Sequence, residues 1–141
     1  MRKRIWCTQA AAILAVALPC AGCGGELNAS ALSKQADSLR SLAAEGALLA
    51  EDASAGKTTH TFRRVHSSDL EKAASKEAAS LETAKTKPAL ESERHRLASL
   101  AQRISDDLDR LGNASEGEQR SLANQLQRAA DQSNQIAEGL K

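Results

Sequence analysis

The stretch PALESERHRLASLAQRISDDLDRL, residues 88–111, decides the fold class of this chain. Its large aliphatic residues recur at intervals of seven, at Leu90, Leu97, Ile104 and Leu111, with Leu100 and Leu108 between them. Because an α-helix completes two turns in about seven residues, these side chains form one apolar stripe. Pro88 suits the first turn of a helix, since its nitrogen has no hydrogen to leave unpaired. The stretch therefore predicts an amphipathic helix that buries one face.

Three further segments show the same helical period, and turn signals separate them. They cover residues 28 or 30 to 54, 59–86 and 116–140. Gly56 suits a left-handed cap after the first of these helices, and Lys87-Pro88 ends the second. Ser115 and Glu118 form a capping-box pattern before the last helix. Ser68-Asp69-Leu70-Glu71 has the same pattern, so the second helix is expected to start or kink there.

Four helices of about 33–42 Å with short turns predict an all-α fold, an antiparallel up-and-down four-helix bundle over residues 29–141. The composition agrees, because Ala, Leu, Ser, Glu, Gln and Arg dominate and the aromatic residues that strands favour are scarce. A chain of 141 residues is expected to hold one such domain, not two.

The second helix has the weakest apolar stripe of the four. Its expected core positions are Phe62, Val65, Leu70, Ala74, Leu81 and Ala84. Glu77 also falls on the facing side, and Gly46 and Ser133 occupy facing positions on other helices. Small residues at these positions bury less apolar surface than leucine. Two interpretations stay open: the domain is only modestly stable, or the second helix faces a partner.

Residues 1–22 have the layout of a secretory signal peptide. The basic segment Met1-Arg2-Lys3-Arg4 precedes an apolar run over residues 5–18, and Pro19 follows that run. A helix over the apolar run would be about 21 Å long, whereas the hydrocarbon core of a bilayer is about 30 Å thick. A cleaved signal peptide is therefore favoured over a retained membrane anchor.

The four residues Cys20-Ala21-Gly22-Cys23 resemble the lipobox of bacterial lipoprotein signal peptides. The last three match the family pattern, and Cys20 stands where leucine is favoured. The resemblance implies that Cys23 receives a diacylglycerol through a thioether and that cleavage follows Gly22. It also implies acylation of the new amino group by a fatty acid such as palmitate, with residues 23–28 as a lipidated tether. Two or three acyl chains hold a protein firmly on a membrane.

The rest of the chain resembles small, alanine-rich helical lipoproteins without an assigned activity. The resemblance implies a bacterial cell-envelope protein, anchored at the extracytoplasmic membrane face by the lipid on Cys23. Gly24 is not the Asp that signals inner-membrane retention, so the outer membrane is expected where the host has one. The expected role is non-catalytic: binding of an unidentified protein or envelope component, or structural spacing.

Other functional classes find little support in the residues. Nucleic-acid binding is not expected, because 19 basic residues face 18 acidic ones and the only aromatic residues are Trp6 and Phe62. Gly56-Lys57-Thr58 lacks the first glycine of a nucleotide-binding loop, so no nucleotide is expected. No G-x-S-x-G elbow indicates an enzyme. A redox or haem role for Cys20 and Cys23 needs a folded context, and Gly24 stands where haem attachment needs His.

The alternative function is a periplasmic metal-binding or stress-sensing helical protein that uses His60, His66 and His95. Bundle metal sites use E-x-x-H pairs, and none of the three histidines has an acidic residue three places before it. The histidines are expected on exposed helix faces, and neither a metal nor another cofactor is predicted. No residue other than Cys23 is assigned to a site.

Overall fold

The computed structural model describes residues 26–141 and shows four α-helices around one core. α1 spans Ala29–Ser54, α2 spans His60–Thr83, α3 spans Glu91–Leu111 and α4 spans Glu116–Gly139. A 3-10 turn, Pro88–Leu90, precedes α3. Over the described residues the all-α prediction is confirmed, and no strand is present there. The predicted signal peptide and Cys23 lie outside the described residues.

The helix ends follow the capping signals of the sequence. The Asn28 side chain accepts a hydrogen bond from the backbone N–H of Ala31 at 2.9 Å, which starts α1. Gly56 has φ 69°, the left-handed conformation expected after α1. The Glu118 carboxylate accepts from the Ser115 backbone N–H at 2.9 Å, and the capping box of α4 is confirmed.

The core is aliphatic and rich in alanine. α1 packs most extensively against α4, and α2 packs most extensively against α3. The largest fully buried aliphatic side chains are Leu32, Leu39, Leu81, Leu97, Leu100, Ile104, Leu108, Leu111, Leu122 and Leu126. The apolar stripe predicted for α3 is therefore confirmed, and Leu90 packs against its edge. Alanines between these residues let the helices approach closely.

Gly46 marks a close approach of three helices. A Cβ at this position of α1 would lie 2.5 Å from Cδ2 of Leu108 on α3 and 3.2 Å from Cδ1 of Leu126 on α4. Such distances leave no room for a side chain unless its neighbours move. The close packing of α1, α3 and α4 therefore requires glycine at position 46, which the sequence placed on the facing side.

The prediction for the buried face of α2 was partly wrong. Phe62 and Val65 are 54% and 55% exposed, whereas Ser67, Leu70 and Ala74 are buried. Val65 is five residues before Leu70, which places it about 140° away around the helix. Leu70 faces the core, so Val65 faces solvent. α2 also runs without a break through Ser68, so no helix starts there.

α2 ends at Thr83, three residues before the predicted end. Ala84 is extended, with φ −67° and ψ 141°. The backbone N–H of Leu27 donates to the carbonyl of Lys85 at 2.7 Å, and Leu27 forms an isolated parallel bridge with Thr86. The chain thus leaves the helix just before the residues that pair with the segment preceding α1.

Candidate functional site

The predicted lipidation site, Cys23, lies outside the described residues, but the end of its tether does not. Glu26 is exposed, and Leu27 is half-buried against the core. The 2.7 Å hydrogen bond from Leu27 to Lys85 fixes this segment beside the loop between α2 and α3. The hydrogen bond to Lys85 therefore places the end of the tether beside the α2–α3 loop.

Arg94 is a buried cation at the same end of the bundle. Its residue exposure is only 5%, and its Nη1 donates to the carbonyls of Leu81 at 2.6 Å and Glu82 at 3.2 Å. Both carbonyls lie in the last turn of α2, where no helical N–H reaches them. Arg94 therefore caps the C-terminus of α2 from a neighbouring helix.

Glu91 completes this arrangement. Its carboxylate accepts from the Arg94 guanidinium, with Nε to Oε2 at 3.2 Å, and from the Thr86 hydroxyl at 2.6 Å. The hydrogen bond from Arg94, aided by the one from Thr86, lowers the pKa of Glu91 from its ordinary 4.5 to about 2. The arrangement ties the loop to two helices, and a structural role accounts for this shift.

The sequence spacing of Arg94 indicates a buried position, although its charge suggests an exposed one. Arg94 lies four residues after Leu90 and three before Leu97. Those spacings place it on the apolar stripe of α3. A cation on such a stripe needs partners at the protein interior, and the α2 carbonyls supply them.

The structure places the three histidines in different surroundings. His60 is exposed in the first turn of α2. The Nε2 atom of His66 lies 2.9 Å from Oε1 of Glu45 on α1, and that of His95 lies 3.2 Å from Oε1 of Glu91. Within residues 26–141, no three His, Cys, Asp or Glu side chains form a group that could hold a metal.

The Gly56-Lys57-Thr58 segment forms the turn between α1 and α2. The backbone N–H of Lys57 donates to the Asp52 carbonyl at 2.8 Å, and its Nζ lies 3.3 Å from Oδ1 of the same residue. Gly56 supplies the left-handed conformation. Helix termination therefore accounts for Gly56 and Lys57.

Two exposed apolar residues, Leu48 of α1 and Phe62 of α2, border one shallow pocket near this turn. Leu48 is 59% exposed, and the Phe62 ring stacks on His66 with centroids 5.4 Å apart. The pocket lies towards the end of α1 remote from Leu27, and Phe62 is a residue that the sequence had assigned to the core.

A groove of about 680 Å³ runs between α3 and α4. Leu100 and Ile136 form its floor, and both are buried. Its rims carry Ser92, His95, Arg96, Ser99, Arg103, Gln132 and Gln135. A smaller pocket shares Leu100, Arg103 and Gln132 and continues along the same helices to Arg128. The walls are thus polar, with Arg96 and Arg103 in the larger part and Asp107 and Arg128 in the smaller one.

Within residues 26–141, no helix has both the length and the apolarity needed to cross a membrane. Comparison of the chain with protein-family models, with curated proteins and with solved structures finds no match.

Proposed function

We propose that this chain is a bacterial lipoprotein whose helical bundle is held end-on at the extracytoplasmic membrane face and acts by binding or spacing, not by catalysis. Residues 1–22 would be removed as the signal peptide, and the lipid on Cys23 would anchor the product. The basic segment, the short apolar run and the lipobox-like residues support this assignment.

The observation that carries the end-on arrangement is the hydrogen bond between Leu27 and Lys85. Leu27 lies four residues after Cys23, so the covalent chain between them can span at most about 14 Å. Leu27 in turn is fixed beside the α2–α3 loop. A lipid on Cys23 therefore holds this end of the bundle close to the membrane.

The proposal includes an antiparallel up-and-down order of the helices. Contacts between neighbouring helices support it, because rising residue numbers on one helix meet falling numbers on the next. The contacts are Ser33 with Ala137, Arg40 with Asn134, Ser38 with Glu77, Glu45 with His66, Glu71 with Ser105 and Arg63 with Gly112. With this order, the α1–α2 turn lies at the end of the bundle away from the membrane.

A non-catalytic role is supported by the state of the most perturbed carboxylate. Glu91 is held by Arg94 and Thr86 in contacts that close a helix end, so its lowered pKa has a structural cause. Structural ion pairs shift pKa values just as active sites do, so the lowered pKa of Glu91 does not mark it as a catalytic group. The remaining envelope roles are recognition of another component and separation of the membrane from a partner.

Intact mass spectrometry of the membrane-extracted protein tests the anchor. We expect the mass of residues 23–141 plus two or three acyl chains, and we expect Cys23→Ser to abolish that species. Cys7→Ser is the matched control, since Cys7 lies in the removed segment outside the lipobox-like residues and its replacement should leave the mature mass unchanged. An unlipidated mature species with wild-type Cys23 would overturn the proposal.

The orientation is tested with fluorophores on single cysteines at Lys87 and Lys57 in the lipidated protein, reconstituted with lipids that carry a quencher on the headgroup. α1 has 26 residues and is therefore about 39 Å long, so the two lysines lie at opposite ends. We expect strong quenching at position 87 and weak quenching at position 57. Equal quenching at both positions would contradict the end-on arrangement without affecting the lipid assignment.

A further inference from the structure

The groove between α3 and α4, called the α3–α4 groove below, has a charge that the rest of the chain does not share. The whole sequence is nearly balanced, with 19 basic and 18 acidic residues. In contrast, the larger part of the groove is lined by Arg96 and Arg103 and by no carboxylate, and Arg96 is paired with Glu93 beside it at 2.9 Å. Arg128 adds another cation in the smaller part, where Asp107 is the only acidic residue.

Two of these cations, Arg103 and Arg128, are available to bind a ligand. Arg103 donates to the amide oxygen of Gln132 at 3.2 Å, and Arg128 donates to the backbone carbonyl of Asn124 at 3.2 Å. Neither arginine forms an ion pair within the part of the chain that the structure describes. Asp107 is already paired with Arg110 at 3.4 Å.

We propose that the α3–α4 groove binds an acidic segment of a partner polypeptide. A guanidinium presents its donors as a planar fork that matches a carboxylate, and Arg103 and Arg128 are placed to do this. The neighbouring amides of Gln132 and Gln135 both donate and accept, so they can pair with a peptide backbone. The groove thus offers partners for both acidic side chains and main-chain groups.

The length of the groove sets the length of the ligand segment that it can hold. The groove runs from Ser92 to Asp107, a length of about 22 Å along α3. An extended peptide advances about 3.3 Å per residue, so about seven residues would span the groove.

Orientation and composition favour a polypeptide over other anions. The groove follows the helix axes, so in the end-on arrangement it begins at Ser92 near the bilayer and extends away from it, with Arg103 about 18 Å along α3 from Glu91. This step rests on the proposed function. A nucleic acid would require stacking faces, and Phe62, the one aromatic residue among the described residues, lies between α1 and α2.

The test is calorimetric titration of the mature protein, in a neutral detergent, with an oligoglutamate of about eight residues, which is about 26 Å long when extended. We expect binding that weakens as salt is added. The double variant Arg103→Gln/Arg128→Gln should bind about fivefold to tenfold more weakly, since each exposed ion pair contributes modestly. The control Arg40→Gln/Arg120→Gln removes the same charge outside the groove and should bind like the wild type.

Three results would overturn the proposal. They are an equal loss in both double variants, no binding of oligoglutamate by the wild type, and binding of inorganic polyphosphate or anionic phospholipid vesicles in preference to oligoglutamate. The titration is repeated with the full-length Cys23→Ser protein, which carries no lipid on that residue. Binding retained there would separate the groove from the anchor, so the two proposals can fail independently.

Discussion

The guanidinium of Arg94 on α3 donates a hydrogen bond to the backbone carbonyl of Leu81 on α2, over 2.6 Å. Through this bond, a side chain supplies the donor that the next turn of α2 would have supplied. It explains why the helical pattern of the sequence outlasts the helix, since Ala84 is already extended. The bond also joins two helices at the end of the bundle to which Leu27 is fixed.

Replacement of Arg94 by Met should lower the melting temperature, because the carbonyls of Leu81 and Glu82 lose their donor inside the protein. We expect Arg96→Met to change it little, since that arginine is exposed. Circular dichroism gives both melting temperatures, and hydrogen exchange at the Leu27 amide should accelerate only in Arg94→Met. Equal melting temperatures for the two variants would show that the cap contributes nothing.

Stability should fall in acid through Glu91. The pKa of its carboxyl is about 2 in the folded protein, below the ordinary value of 4.5 that applies when the chain is unfolded. As the pH falls below 4.5, the unfolded chain binds a proton that the folded one does not, so the contribution declines until about pH 2. The melting-temperature gap between wild type and Glu91→Gln should shrink over this range. A gap that stays constant with pH would contradict the assignment.

The same substitution should have opposite effects at two glycines. A Cβ at Gly46 would meet Leu108 at 2.5 Å, whereas nothing lies within 4 Å of a Cβ at Gly117. The extra methyl group of Gly46→Ala would overpack the core, which costs about 1–3 kcal/mol of stability. The higher helix propensity of alanine offsets up to about 1 kcal/mol of this cost, so the variant should be less stable by about 1 kcal/mol. Gly117→Ala should stabilise by up to about 1 kcal/mol. Urea unfolding measures both, and stabilisation by Gly46→Ala would refute the close packing.

Two apolar residues of α2 should differ sharply in their contribution to stability. Leu81 is fully buried, and Leu81→Ala should cost about 2–5 kcal/mol. Phe62 is 54% exposed, so Phe62→Ala should cost less than about 1 kcal/mol despite the larger side chain removed. Urea unfolding of the two variants provides the comparison. If Phe62→Ala lowered the free energy of unfolding as much as Leu81→Ala, Phe62 would belong to the core, as the sequence indicated.

The elements that the sequence predicted well depend on neighbours in the chain. The heptad of α3 places Leu97, Ile104 and Leu111 in the core because helical geometry alone puts them on one face. The capping box of Ser115 and Glu118 joins residues three apart, so the sequence contains both partners. The buried face of α2 was harder to predict from the sequence, because its weak apolar stripe left several faces almost equally suited to burial.

The sequence by itself determined the number of helices, the turn at Gly56, the capping box of Ser115 and Glu118 and the buried stripe of α3, since period and capping are local properties. Only the tertiary structure decided that Arg94 is buried, that Phe62 is exposed and that Leu27 pairs with Lys85. It also decided that basic residues of two helices line one groove. The physical reason is that these features depend on contacts between groups far apart in the chain, whose positions follow from the packing of helices and not from any single segment.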